Sequence, residues 1–190
     1  MKGKAFIEPQ FRATVEERKT QFREVMNCRK KNCRWHSLSR TNNCDNPLTI
    51  VKCLHIEPRY KVGERMYLKE PYIFRKHGII YQNDKMIYQN VKGVWKNNMP
   101  TKYARYFIEI TGVKAERLQD ISDCLQEGIY EERPEYYDLP KNSKPNYYHY
   151  GVEWYNTPQE AYAALINSIN GKGTWERNPW VWVYDYKLIK

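Results

Sequence analysis

The chain has 190 residues, with 32 Lys and Arg against 22 Asp and Glu for a net charge of +10, and it carries 17 Tyr and 6 Trp. That length fits one domain of ~100 to 200 residues around a single core, and the positive excess points to a phosphate-bearing partner or to a generally basic soluble surface. No uninterrupted apolar run approaches the ~20 residues that span a bilayer, and MKGKAFIEPQ lacks an apolar signal core, so a cytoplasmic protein is expected.

From the N-terminus, Glu8 to Lys19 reads as a first helix, with Pro9 suited to its first turn and Phe11 and Val15 on one face. Residues 26–58 then read as an inserted basic loop. Within it, Cys28, Cys33, His36 and Cys44 are soft or borderline ligands of the kind that hold a structural zinc. Their spacing is irregular, and reduced cysteines in a loop are the other reading. Arg29, Lys30, Lys31, Arg34 and Arg40 surround them as the densest positive patch, suited to backbone phosphates or to solvent.

Gly63 to Glu70 alternates as a half-buried strand does, with Met66 and Leu68 on one side and Arg65, Tyr67 and Lys69 on the other. IIYQ and MIYQ, separated by Asn83-Asp84-Lys85, read as a hairpin. Phe107 to Thr111 and Val113 to Leu118 read as one long strand bent near Gly112. Ser122 or Asp120 can cap a short helix that carries Leu125 and Glu127 and ends at Gly128, with Cys124 on it as a small core residue.

Residues 131–154 are rich in Tyr, Pro and Asn without clear periodicity, and read as a long loop. Thr157-Pro158-Gln159-Glu160 is a capping box that opens a helix bearing Tyr162, Leu165, Ile166 and Ile169, stopped at Asn170-Gly171. WVWVYDYKLI at the end reads as a central strand.

Three blocks in order carry a family likeness: Arg18-Lys19-Thr20 inside ERKTQFREV, MPTKYARYFIEITGVKAERLQDIS from Met99 to Ser122, and SINGKGTWERNPWVWVYDYKLI from Ser168 to Ile189. Together they resemble ASCH domains, small proteins related to PUA modules, in the branch found in phages and gut bacteria. The resemblance implies a single α+β domain over residues 1–190: a PUA-like small β-barrel flanked by two to three helices, with the Cys/His insertion and with 131–154 as cover for a pocket. It implies an RNA or a modified nucleotide or nucleoside as ligand.

In one branch of that family, small bacterial enzymes remove the acetyl group of N4-acetylcytidine with a Lys and a Thr from the signature and a Glu from a later helix. The resemblance puts that Lys at Lys19 and the Glu at Glu127, but the Thr position holds Phe22. Thr20 is the signature hydroxyl that is left, so the catalytic candidates are Lys19, Glu127 and Thr20. A phenyl ring offers a lysine nothing to activate.

Two further departures are Glu17 where the family usually has Gly and Glu24 where it usually has Arg, with Arg23 basic beside it. The ligand-binding candidates are Arg18, Lys19, Arg23, Arg105 and Trp95. Arg105 reads as a phosphate or base contact or as half of a salt bridge, and Trp95 as a stacking ring or a cover for the barrel end. Three functions follow in order: a nucleotide or RNA binder, an amidohydrolase, and a phage protein that interacts with a host defence component.

Overall fold

The protein is described by a computed structural model over residues 1–26, 57–76, 78–82, 95–132, 147–150 and 153–189. The expected zinc ligands Cys28, Cys33, His36 and Cys44, the basic run around them and MIYQ lie outside the described residues. Ten strands and three α-helices make a mixed α+β fold: β1 (Lys2–Ala5), α1 (Glu8–Val15), β2 (Gln21–Val25), β3 (Arg65–Lys69), β4 (Tyr72–Arg75), β5 (Gly78–Tyr81), β6 (Phe107–Arg117), β7 (Tyr130–Glu132), β8 (Tyr147–Tyr150), β9 (Glu153–Tyr155), α2 (Pro158–Asn170), α3 (Thr174–Arg177) and β10 (Trp180–Ile189). They form a five-stranded sheet in the order β1-β3-β6-β10-β2, a β4-β5 pair and a β7-β8-β9 sheet.

The last strand organises the large sheet. Its apolar and aromatic side chains on both faces suit a position with neighbours on both sides, and β10 lies between β6 and β2. Phe22 of β2 stands opposite Tyr184, and Arg23 opposite Val183. The bend expected near Gly112 is a bulge. Asp185 pairs with Gly112 and Tyr186 with Ile110, so Thr111 is an extra residue on β6. Any side chain at 112 would clash, because a Cβ there would stand 2.5 Å from an Asp185 carboxylate oxygen.

Successive side chains of a strand point to opposite faces, and the large sheet uses both. One face, with Phe22, Met66, Leu68, Ile108, Tyr184 and Tyr186, packs on Phe11 of α1 and on Tyr60. The other, with Val181 and Val183, packs on Ala161, Tyr162, Leu165 and Ile166 of α2. The sheet also coils. Lys4 of edge strand β1 reaches Glu24 of the opposite edge strand β2 at 2.6 Å, and its ammonium stands 4.0 Å from the Phe22 ring centre. Side chains bridge the two edges, but no backbone ladder joins them, and none of the three sheets closes into a barrel among the described residues.

Several elements match their sequence signals. Thr157 accepts the Glu160 N–H, the Glu160 carboxylate accepts the Thr157 N–H, and Pro158 opens α2. Ile169, placed with the apolar row of that helix, is instead 46% exposed. Cys124 is buried in the core beneath α2, and burial pushes its thiol pKa up to about 11. The cap of the turn before Gly128 is neither Ser122 nor Asp120. Asp123 accepts the Leu125 N–H, while Asp120 accepts the N–H of Arg117.

Other expectations change. IIYQ forms β5, which pairs with β4 just before it. Part of the segment read as a loop over 131–154 is strand, since β7, β8 and β9 pair antiparallel. Tyr, His and Trp occupy both faces there, which erases the polar–apolar alternation that signals a strand. No helix among the described residues is long and apolar enough to cross a membrane.

The first helix stops at Val15, not at Lys19. Glu17 takes a left-handed conformation, φ 59°, and the Arg18 and Lys19 amides both donate to the Ala13 carbonyl. This turn reverses the chain within two residues and drops Lys19 inward. A left-handed conformation costs an L-residue with a side chain about 1 kcal/mol or more, and glycine is spared that cost. Glu17→Gly is therefore expected to raise the unfolding free energy by up to about 1 kcal/mol. Chemical denaturation of the two proteins measures it, and a clear loss of stability would mean that the Glu17 side chain has a compensating role.

Candidate functional site

Three elements meet at one carboxylate. Lys19 comes from the turn after α1, Arg23 from β2, and Glu127 from a single 3-10 turn, Leu125–Glu127, closed by Gly128 at φ 89°. A Cβ at Gly128 would also press on Ala13 at 3.3 Å and on the Lys19 stem at 3.4 Å, so this turn needs glycine for both its backbone angle and its packing. Backbone hydrogen bonds tie the pieces together. The Thr20 N–H donates to the Gln126 carbonyl, and the Tyr186 N–H of β10 donates to the Thr20 carbonyl.

The Lys19 ammonium donates to Glu127 Oε2 at 2.7 Å and to the Glu127 carbonyl at 3.0 Å. The Phe6 ring centre lies 5.5 Å away on another side. Arg23 Nη1 donates to the second carboxylate oxygen of Glu127, and the rest of its fork holds Glu116 of β6. Glu116 also pairs with Lys114 at the surface. The Lys19, Glu127 and Arg23 side chains are 0%, 2% and 2% exposed.

A buried charge is tolerated when it is paired and fully hydrogen-bonded, and Glu127 answers both cations with one carboxylate. Burial nevertheless pulls the Lys19 pKa below the usual lysine range. Glu127 opposes the shift, and the charges of Arg23 and Lys4 add to it. A lysine shifted in this direction is closer to serving as a base or nucleophile than one on the surface.

Alternation puts the next residue on the opposite face. Phe22 lies in the core, with its ring 4.9 Å from Tyr184 and stacked on it, and 5.8 to 5.9 Å from Phe6, Tyr60 and Tyr186. No hydroxyl occupies the position that the ASCH resemblance gives to a threonine. Thr20 is exposed, and its backbone is committed to Gln126 and Tyr186. Glu24 lies on the Phe22 face, bound to Lys4, so Arg23 and Glu24 divide the two sides of β2.

The structure thus brings Lys19, Arg23 and Glu127 together and places the other candidates elsewhere. Arg105 grips buried Glu70 with two hydrogen bonds, at 2.9 and 2.7 Å, and lies 3.9 Å from the Tyr81 ring centre, so the salt-bridge reading is the observed one. Arg18 pairs with Glu16 and covers the Tyr130 ring at 4.0 Å. Trp95 is half-buried just before the bridge between Lys96 and Tyr72. Among the described residues, no group of three or more His, Cys, Asp or Glu is placed to hold a metal ion.

One member of the cluster escaped the sequence reading. Tyr162 of α2 is fully buried beside Arg23 and Glu127. Burial, reinforced by the Glu127 charge and opposed by Arg23, raises its pKa well above the phenol range. Its hydroxyl keeps its proton, yet no atom meets it with hydrogen-bond geometry. A tyrosine in an apolar helical row signals this only weakly, since the ring fits the core whether or not the hydroxyl is used.

No family model, no curated protein and no solved structure matches the chain.

Two substitutions test the cluster. Lys19→Met removes one partner of a buried pair and is expected to cost about 3 kcal/mol or more in chemical denaturation, whereas a loss under about 1 kcal/mol would show that the pair is not a main constraint. Tyr162→Phe removes a buried donor that has no acceptor, so melting should show unchanged or higher stability, by up to about 1 kcal/mol. A marked loss would reveal a hydrogen bond to that hydroxyl in solution.

Proposed function

We propose that the chain binds a nucleotide or nucleoside, free or within RNA, at the Lys19–Arg23–Glu127 cluster, and that it holds this ligand without cleaving it. The reading builds on the resemblance to ASCH domains. Two features support that resemblance: the coiled large sheet, bridged by Lys4 and Glu24 as a small PUA-like barrel would be, and the left-handed turn at Glu17, where the family usually has glycine.

The observation that carries the reading is the combination at the signature. The Lys and the Glu of the family's catalytic set stand in direct contact, while the hydroxyl nucleophile's place is a phenyl ring packed in the core. What remains is a recognition set. A carboxylate can accept from an exocyclic amine such as N4 of cytosine, and cations can donate to ring nitrogens and carbonyls. The unpartnered Tyr162 hydroxyl adds a donor in the same place. The cluster is closed to solvent as it stands, so a ligand gains access only when the Leu125–Glu127 turn or a neighbouring side chain moves.

The second reading, an amidohydrolase acting on an acylated nucleoside, is favoured by the lowered Lys19 pKa and its contact with Glu127. Lys19 would act as base and Glu127 as acid or orienter, with Thr20 or water as nucleophile. Incubation with N4-acetylcytidine, read by mass spectrometry, separates the two. The expected result is no release of acetate by the wild-type protein, together with calorimetric binding of the nucleoside that Glu127→Gln abolishes. Turnover that disappears in Lys19→Ala would establish the hydrolase in its place.

A further inference from the structure

The β7-β8-β9 sheet turns one face to α2 and its core, where Tyr148 and Tyr155 pack. Its other face carries a row set by the register: Tyr130 stands opposite His149, and His149 opposite Trp154. The three rings stack in sequence. Tyr130 and His149 are 5.1 Å apart at 19°, and His149 and Trp154 are 4.5 Å apart at 42°. The Arg18 guanidinium, next in sequence to Lys19, covers the far side of Tyr130 at 4.0 Å, and Arg12 is close enough to lower the phenol pKa. The column therefore starts beside the Lys19 turn and runs outward across three strands.

It ends on an open ring. Trp154 is 53% exposed, the most exposed aromatic ring among the described residues, and it sits on β9, an edge strand of its sheet. The sheet has no strand beyond β9 among the described residues to supply the next ring of the row. Burying this residue is not needed for the core, which lies on the opposite face.

We infer that this face is a stacking platform for unpaired RNA, with a base added to the column on the ring of Trp154. A tryptophan edge-to-column arrangement of this kind offers a π-face that any base can use, and an aromatic row across a small sheet is a recurring way of holding splayed bases. Charge complements the assignment. The chain is +10 overall, and Arg12 and Arg18 stand at the inner end, although Glu16 offsets Arg18 and Glu132 lies 3.3 Å from His149. A duplex keeps its bases stacked on one another and cannot use the ring. The inference rests on the nucleotide-binding reading above, and it adds a second contact point for the same strand.

Fluorescence anisotropy of a labelled single-stranded RNA of mixed sequence tests it, with Trp154→Ala, Trp154→Phe and Glu127→Gln beside the wild type. Loss of one base stack corresponds to roughly 5- to 150-fold weaker binding. Trp154→Ala is expected to show that loss without a change in melting temperature, Trp154→Phe to retain most of the affinity, and a duplex of the same sequence to bind more weakly than the single strand. Wild-type affinity in Trp154→Ala overturns the platform, and if Glu127→Gln is then weak, the cluster reading survives alone. Weak binding in Trp154→Ala with full affinity in Glu127→Gln sustains the platform and overturns the cluster. Absence of RNA binding by the wild type overturns the platform and the RNA form of the cluster reading together.

Discussion

The carboxylate of Glu127 is the constraint on which the centre of this fold depends. It is buried, it takes one hydrogen bond from Lys19 and one from Arg23, and through Arg23 it is linked to Glu116 of β6. The turn after α1, the second strand, the long sixth strand and the 3-10 turn before Gly128 are therefore fixed relative to one another by charge as well as by packing. Ion pairs at this depth seldom add net stability over well-packed apolar groups, but removing one member leaves a charge with nowhere to go. Such an arrangement specifies one geometry: a displacement of Glu127 large enough to break either contact leaves a bare cation in the core.

Phe22 shows how the same strand separates chemistry from packing. Arg23 faces the ionic cluster and α2, while Phe22, one residue earlier, faces an aromatic core of Phe6, Tyr60, Tyr184 and Tyr186. A threonine at 22 would put a hydroxyl where this core now has a ring and would open a cavity around it, which is costly in a close-packed interior. The aromatic packing and the loss of a nucleophile are thus one structural choice, and it favours recognition over turnover.

Local signals made much of this legible. The capping box at Thr157 to Glu160, the glycine stop at Gly128, the alternation of Met66 and Leu68 and the bend near Gly112 each rest on contacts within a few residues or on a strict period, and each appears where its signal lies. The early end of α1 was hidden because Glu17 adopts a backbone angle that its residue type disfavours. The β7-β8-β9 sheet was hidden because its residues are aromatic on both faces. The meeting of Lys19 with Glu127 followed from the family resemblance. The Arg23–Glu116 pair and the stranded Tyr162 hydroxyl depend on which strands lie side by side, a long-range fact that no residue spacing encodes.

The bridge between Lys4 and Glu24 has a consequence for the protein in crowded solution. Edge strands expose rows of backbone donors and acceptors that invite another chain to add itself, and many sheets must blunt them with charges or bulges. Here the coiling brings the two edges of the large sheet toward each other, and a lysine placed at the seam, held by Glu24 and by the Phe22 ring, occupies the approach to both. The sheet shields itself by folding its own borders inward. Opening that seam would create aggregation-prone edges at the very strand that carries Phe22 and Arg23, so colloidal solubility and the integrity of the recognition cluster are guarded by the same side chain.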